Sequence, residues 1–208
     1  MAEALLAVVE DEGLEAASIP RIARELNAST GLVQAYFRSK DELLLFAARH
    51  LGDLIRARVA AAVRAAPEGD VRQRLLRAMC VVAGADDERA AEGRIWLAFL
   101  ARAAFHPALR EVHVAGAAEI REHCRRALEA ARELGRVPRW VDAEAEAWAL
   151  AAFADGLAVQ RAVAPEAMAD DQVRVLLGRY LDRIFVGAGG AGGAGGAGGA
   201  GGGGGECV

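Results

Sequence analysis

Residues 13–47 read GLEAASIPRIARELNASTGLVQAYFRSKDELLLFA, and three helix starts are written into that run. Ser18 precedes Ile19 and Pro20; serine caps a helix N-terminus well and proline suits the first turn. The stripe Ile19, Ile22, Ala23 and Leu26 follows at helical spacing. Asn27-Ala28-Ser29 makes a tight turn, and Ser29 can cap a third short helix over Thr30 to Phe37. Ser39-Lys40-Asp41-Glu42 has the form of a capping box for a long fourth helix, predicted to run to about Ala66. Upstream, Ala4, Leu5, Val8 and Val9 form the apolar stripe of a first helix that Gly13 closes.

Two short helices joined by a tight turn are the helix-turn-helix arrangement. Its second helix is held by an inner face and offers an outer face to a DNA groove. Val33 and Phe37, four apart, pack inward with Ile22 and Leu26. Ser29 and the first free amides can bind a phosphate, aided by the helix dipole. Gly31 lets the backbone come close. Thr30 and Gln34 can hydrogen-bond base edges, Leu32 can meet a thymine methyl, and Ala35 shares that outer region. Tyr36 and Lys40 suit phosphate. Capped short helices with Ile and Leu anchors also occur in plain bundles, so the pattern by itself leaves both readings open.

The chain has 208 residues, 54% of them hydrophobic, with a formal net charge of −4. That is ample material for a core and rules out disorder of the whole chain. No apolar run is long enough to span a membrane, and the acidic start MAEALLAVVEDEG is unlike a secretory signal. Cys80, Cys124 and Cys207 are too scattered for a disulfide framework or a metal knuckle, so a cytoplasmic location is expected. His106, His113 and Cys124 do not have metal-ligand spacing, and His106 reads as the residue before a helix start at Pro107. No nucleophile elbow, zinc-protease or phosphate-loop motif is present, and no enzyme activity, metal or cofactor is expected. From Gly187 to Gly205 the chain is only Gly and Ala, which reads as a flexible tail.

Helix formers dominate residues 1–186, and the breakers divide them into about nine helices, an all-α fold. The helix from Ala143 to Ala164 is apolar on more than one side, so it is expected to be buried twice, once on its own subunit and once on a partner. Together with the last helix, from Asp171, it predicts a twofold four-helix interface using Trp148, Ala154, Gly156, Leu157, Leu177 and Leu181. A ligand pocket is expected among the middle helices, lined by Met79, Cys80, Trp96, Phe99, Leu100, Phe105, Cys124 and Trp148. With few candidate charges there, it predicts a small hydrophobic ligand.

The run from Gly13 to about Ala48 resembles the N-terminal domain of TetR-family transcriptional regulators. Gly13, Ser18, Ile22-Ala23, Ser29, Gly31, Tyr36-Phe37 and Ser39-Lys40 carry the likeness. The stretches RIWLAFLARAAFHPALREVH, GRVPRWVDAEAEAWALAAFADGLAVQ and RVLLGRYLDRIF are similar to the C-terminal domain of BetI-like members. The resemblance implies a homodimeric repressor that binds double-stranded operator DNA through its third helix and is released by a small molecule. It also implies phosphate contacts from Tyr36 and Lys40. The implied domains are 1–48 for DNA, 49–186 for ligand and dimerisation, and a disordered 187–208. The chain departs from the family where Gly is usual at Asn27, an aromatic at Gln34 and His at Ala35. Helix 1 also begins almost at Met1, without the usual basic lead. Residues 1–50 hold five basic side chains against eight acids. That balance favours weak DNA binding by a monomer. It also supports the competing class, a helical dimeric small-molecule-binding or interaction protein with weak or lost DNA binding.

Overall fold

The computed structural model describes residues 1–85 and 90–185; the expected tail at 187–208 lies outside them. The described residues form nine α-helices and one short 3-10 turn, with no strand. They are α1 (Ala2–Glu12), α2 (Ile19–Glu25), α3 (Thr30–Tyr36), α4 (Lys40–Arg64), α5 (Val71–Val82), α6 (Ala90–Ala103), α7 (Pro107–Glu133), α8 (Ala143–Val163) and α9 (Asp170–Ile184). The 3-10 turn, Pro165–Ala167, joins the last two.

The N-terminal starts are capped as their side chains dictate. Ser18 Oγ accepts from the Arg21 amide at 3.3 Å, Ser29 Oγ from Leu32 at 3.1 Å, and Ser39 Oγ from Glu42 at 3.2 Å. Each bond satisfies an amide that the helix itself cannot pair. The return arm of the capping box is displaced by one residue: Glu42 Oε2 accepts from the Arg38 amide at 2.7 Å. The α2–α3 turn puts Asn27 at φ 50°, a left-handed conformation that asparagine tolerates better than most residues. His106 caps α7 through Nδ1, which accepts from the Leu109 amide at 3.4 Å.

Two apolar clusters hold the helices. The first joins Leu5, Val8, Ile22, Val33, Leu43 and Leu44 to Ile95 and Phe99 of α6. The three short helices and the start of α4 are therefore roofed by α6, and the expected boundary at residue 48 falls inside α4. Leu26 sits at the edge of this cluster, partly buried. The second cluster packs Leu75 and Met79 of α5, Leu128 of α7, Leu150 of α8, and Leu177 and Leu181 of α9. Truncating one such leucine to alanine costs about 2–5 kcal/mol. No helix among the described residues is long and apolar enough to cross a membrane.

Candidate nucleic-acid interface and ligand cavity

Helix α3 is fixed from one side only. Val33 is fully buried, and Phe37, at the C-cap, is buried with its ring 5.1 Å from Phe46. The rest of the helix faces outward: Ser29, Thr30, Gly31, Leu32, Gln34, Ala35 and Tyr36 are all exposed. Leu32 is 50% exposed and Tyr36 67% exposed, so two large apolar groups stand uncovered on seven residues of helix. Lys40 is placed differently from the other seven. It is half-buried, with Nζ donating to the Glu15 carbonyl at 2.8 Å and pairing with Glu15 Oε2 at 3.2 Å. Reaching a phosphate requires it to leave that carboxylate.

Sequence reasoning assigned no role to Arg24 or Arg38, which are exposed and make no side-chain ion pair among the described residues. Arg24 lies on α2 and Arg38 follows α3, so both flank the outward face. Their signal was the placement of basic residues either side of a helix-turn-helix.

Most acids of this region are turned to other partners. Arg21 binds Glu12 and Glu25, at 2.7 Å and 2.8 Å. From α6, Arg94 reaches Glu10 at 3.6 Å, and Arg102 reaches Glu15 at 3.1 Å and Asp41 at 3.5 Å. His106 Nε2 lies 3.4 Å from Asp41. Two arginines beyond residue 50 thus offset acids that a count of residues 1–50 leaves unbalanced.

A cavity of about 1440 Å³ opens between α4, α5, α6, α7 and α8. Met79, Trp96, Phe99, Leu100, Cys124 and Trp148 line it as expected. Two residues do not. Cys80 is buried on another side of α5, where its charged neighbours are Arg174 and Asp170 of α9; the roughly 100° turn from Met79 to the next residue carries it away. Phe105 follows the end of α6 and is 91% exposed, over a shallow depression shared with Leu14, Glu15 and Arg102. Burial pushes the Cys124 thiol up to about 11 and raises Cys80 as well, so both are poor nucleophiles.

The expectation of few charges in this cavity is corrected. Arg49, Arg56, Arg58, Arg64, Arg74, Arg121 and Arg161 reach its wall, with Glu92, Glu119, Asp155, His113 and His123. Arginine buries its methylene stem along apolar surface while its head stays polar, which a count of apolar side chains overlooks. Burial raises the Asp155 carboxyl above its ordinary range, opposed by His113 and Arg121. The Trp148 ring is covered by the Arg121 guanidinium, 3.8 Å from its centroid.

The expected interface residues are also re-sorted. Ala154, Leu157, Leu177 and Leu181 are buried within the subunit's own second core. Trp148 is half-exposed but turned to α7 and the cavity. Gly156 alone of that set faces outward, and a Cβ placed on it meets nothing within 4 Å. Along the same side of α8, Gln160 and Val163 are exposed and Phe153 is partly buried, as is Tyr180 of α9. Phe153 and Tyr180 stack with centroids 5.4 Å apart. An all-round apolar helix does not reveal in sequence which side its own subunit takes.

Residues 2–47 match the family described as "Bacterial regulatory proteins, tetR family", and residues 70–186 match "BetI-type transcriptional repressor, C-terminal". The chain belongs to the TetR family. Its curated relatives include the HTH-type transcriptional regulator BetI of Escherichia coli, 31% identical over 164 residues, covering 77% of this chain and 80% of that protein. BetI of Vibrio parahaemolyticus is 26% identical over 186 residues, covering 88% of this chain and 89% of the relative. A transcriptional regulator of Rhodococcus sp. Rha1 superposes with a TM-score of 0.77 at 32% identity, over 88% of this chain and 92% of that one. A Saccharomonospora viridis regulator crystallised in complex with choline has a TM-score of 0.79 at 23% identity, over 89% of this chain and 95% of that one, a likeness of fold. These relatives are named as transcriptional regulators, not as enzymes. This TetR-family chain is accordingly a sequence-specific DNA-binding transcriptional regulator of the repressor type, in a family where release by a small ligand is typical.

Proposed function

We propose that the regulator acts in the cytoplasm as a homodimer that reads its operator with α3 and lets go when a ligand fills the cavity. The observation that carries the DNA reading is the uncovered face of α3. Leu32 and Tyr36 stand exposed on a helix that Val33 and Phe37 anchor from behind. Gln34 and Thr30 read base edges, Leu32 meets a thymine methyl, and Ser29, Tyr36, Lys40, Arg24 and Arg38 approach phosphates.

The dimer forms through the outward face of α8 and the adjoining part of α9, around Phe153, Gly156, Val163 and Tyr180. It sets the two α3 helices one DNA turn apart, ~34–36 Å. Release runs through α4 and α6. Helix α4 starts in the DNA-reading region at Lys40 and lines the cavity from Ala48 to Arg64. Helix α6 lines it with Trp96, Phe99, Leu100 and Ala103, and Arg102 on the same helix grips Glu15 and Asp41. A ligand that moves either helix alters the spacing, and a difference of a few kcal/mol between the two states suffices.

Fluorescence anisotropy with duplexes from the DNA upstream of its own gene, combined with sedimentation, tests this reading. A dimer at micromolar concentration that prefers one upstream duplex over scrambled DNA is expected. A wild-type monomer at that concentration, or equal affinity for every duplex, overturns it.

A further inference from the structure

The cavity carries a charge pattern that the release mechanism leaves unused. Helix α4 lines it for about 24 Å, from Ala48 to Arg64 at 1.5 Å per residue. Seven arginines and three carboxylates reach the wall. Most of the inner arginines already have partners. Arg58 bonds Glu92, Arg161 bonds Asp170 and the Met168 carbonyl, and Arg121 lies on the Trp148 ring.

Arg74 does not. It is half-buried on α5, and its Nε, like that of Arg58, is closed off from solvent without a hydrogen-bond partner; unlike Arg58, it pairs with no carboxylate among the described residues. Arg64 stands across the α4–α5 connection from it, at the same end of the cavity. The three wall acids lie elsewhere, on α6, α7 and α8. A donor atom held out of water without an acceptor is costly, and a planar guanidinium matches a carboxylate in geometry. Around it the wall is apolar, with Val63, Val71 and Met79 nearby in sequence and Phe99 and Trp96 further along.

We propose that this cavity binds an amphipathic carboxylate, its head on Arg74 and Arg64 and its apolar body along α4 towards Trp96 and Phe99. A quaternary ammonium ion meets the opposite conditions. The wall carries an excess of arginine, and the Trp148 face that such a cation could use is occupied by Arg121. The ligand class rests on the cavity being the regulatory site, so binding and release are measured separately.

Calorimetry of the full-length protein without DNA compares decanoate, decanol and decyltrimethylammonium, which share one chain and differ in the head, all below their micelle concentrations. Decanoate is expected to bind about tenfold more tightly than decanol, with no heat from the ammonium compound. Arg74→Gln is expected to abolish the preference for decanoate while leaving decanol affinity and the melting temperature unchanged; Arg74→Lys retains part of it. Equal binding of decanoate and decanol by the wild type, tighter binding of the ammonium compound, or a preference that persists in Arg74→Gln overturns the proposal. Decanoate binding with no loss of operator affinity supports the ligand class and removes only the release reading.

Discussion

At the scale of single residues, Gln34 and Asn27 are informative because nothing else in the subunit explains them. Gln34 is exposed on a helix whose neighbours at Val33 and Phe37 are buried. Gln34→Ala is expected to change the ranking of operators, by about 1–3 kcal/mol at the base it reads. Arg38→Ala is expected to weaken all duplexes alike, since phosphate carries no sequence information. Anisotropy against a set of single-base operator variants separates the two; a uniform loss from Gln34→Ala removes it from base readout. Asn27 sits at φ 50° in the turn between α2 and α3. Alanine there meets the left-handed penalty of about 1–2 kcal/mol, whereas glycine does not. Thermal unfolding is expected to show Asn27→Ala destabilised by about that amount and Asn27→Gly near the wild type. An unshifted melting temperature for Asn27→Ala shows that the turn can relax.

At the scale of elements, α6 is the part with two allegiances. Its Ile95 and Phe99 belong to the core of the DNA-reading helices, and Trp96, Phe99 and Leu100 line the cavity. Arg102 then ties its C-terminal end to Glu15 and Asp41, and Glu15 in turn holds Lys40. The carboxylates of these pairs are largely solvated, so Arg102→Gln is expected to change stability by less than ~1 kcal/mol. Its effect belongs to coupling. The ratio of operator affinities with and without decanoate is expected to fall towards one in Arg102→Gln. A ratio equal to that of the wild type takes Arg102 out of the transmission route. The start of α4 offers a control: Ser39→Ala removes the cap on Glu42 and is expected to cost about 1 kcal/mol of stability with coupling unchanged.

At the scale of the whole molecule, assembly decides whether two α3 helices can meet one operator. Gly156 faces open space in the subunit, and a leucine there has no clash within the monomer. Replacing a mid-helix glycine also raises helix propensity. Gly156→Leu is therefore expected to preserve or raise monomer stability while weakening the dimer about tenfold or more. Sedimentation equilibrium alongside thermal unfolding reads both. An unchanged dimer constant places the contact elsewhere on α8 and α9.

What the sequence determined by itself is local. Ser18, Ser29 and Ser39 each set a helix start within three residues, and the spacing of Val33 and Phe37 chose which side of α3 turns inward. Capping and apolar periodicity act over one or two turns, so they can be read without knowing the neighbours. What only the tertiary structure decided involves partners far apart in the chain. Ala154 and Leu157 of α8 and Leu177 and Leu181 of α9 became internal core and Gly156 remained outside, because α5, α6 and α7 pack on one side of α8 and α5 on α9, and the apolar pattern of these helices did not name that side. The acidic balance of residues 1–50 was corrected by Arg94 and Arg102, brought in by the packing of α6. The arginines of the cavity were not legible in sequence, where the pocket was expected to hold few charges. They became its wall because five helices close around them, and which of them finds a carboxylate, as Arg58 and Arg161 do and Arg74 does not, is a property of that closure.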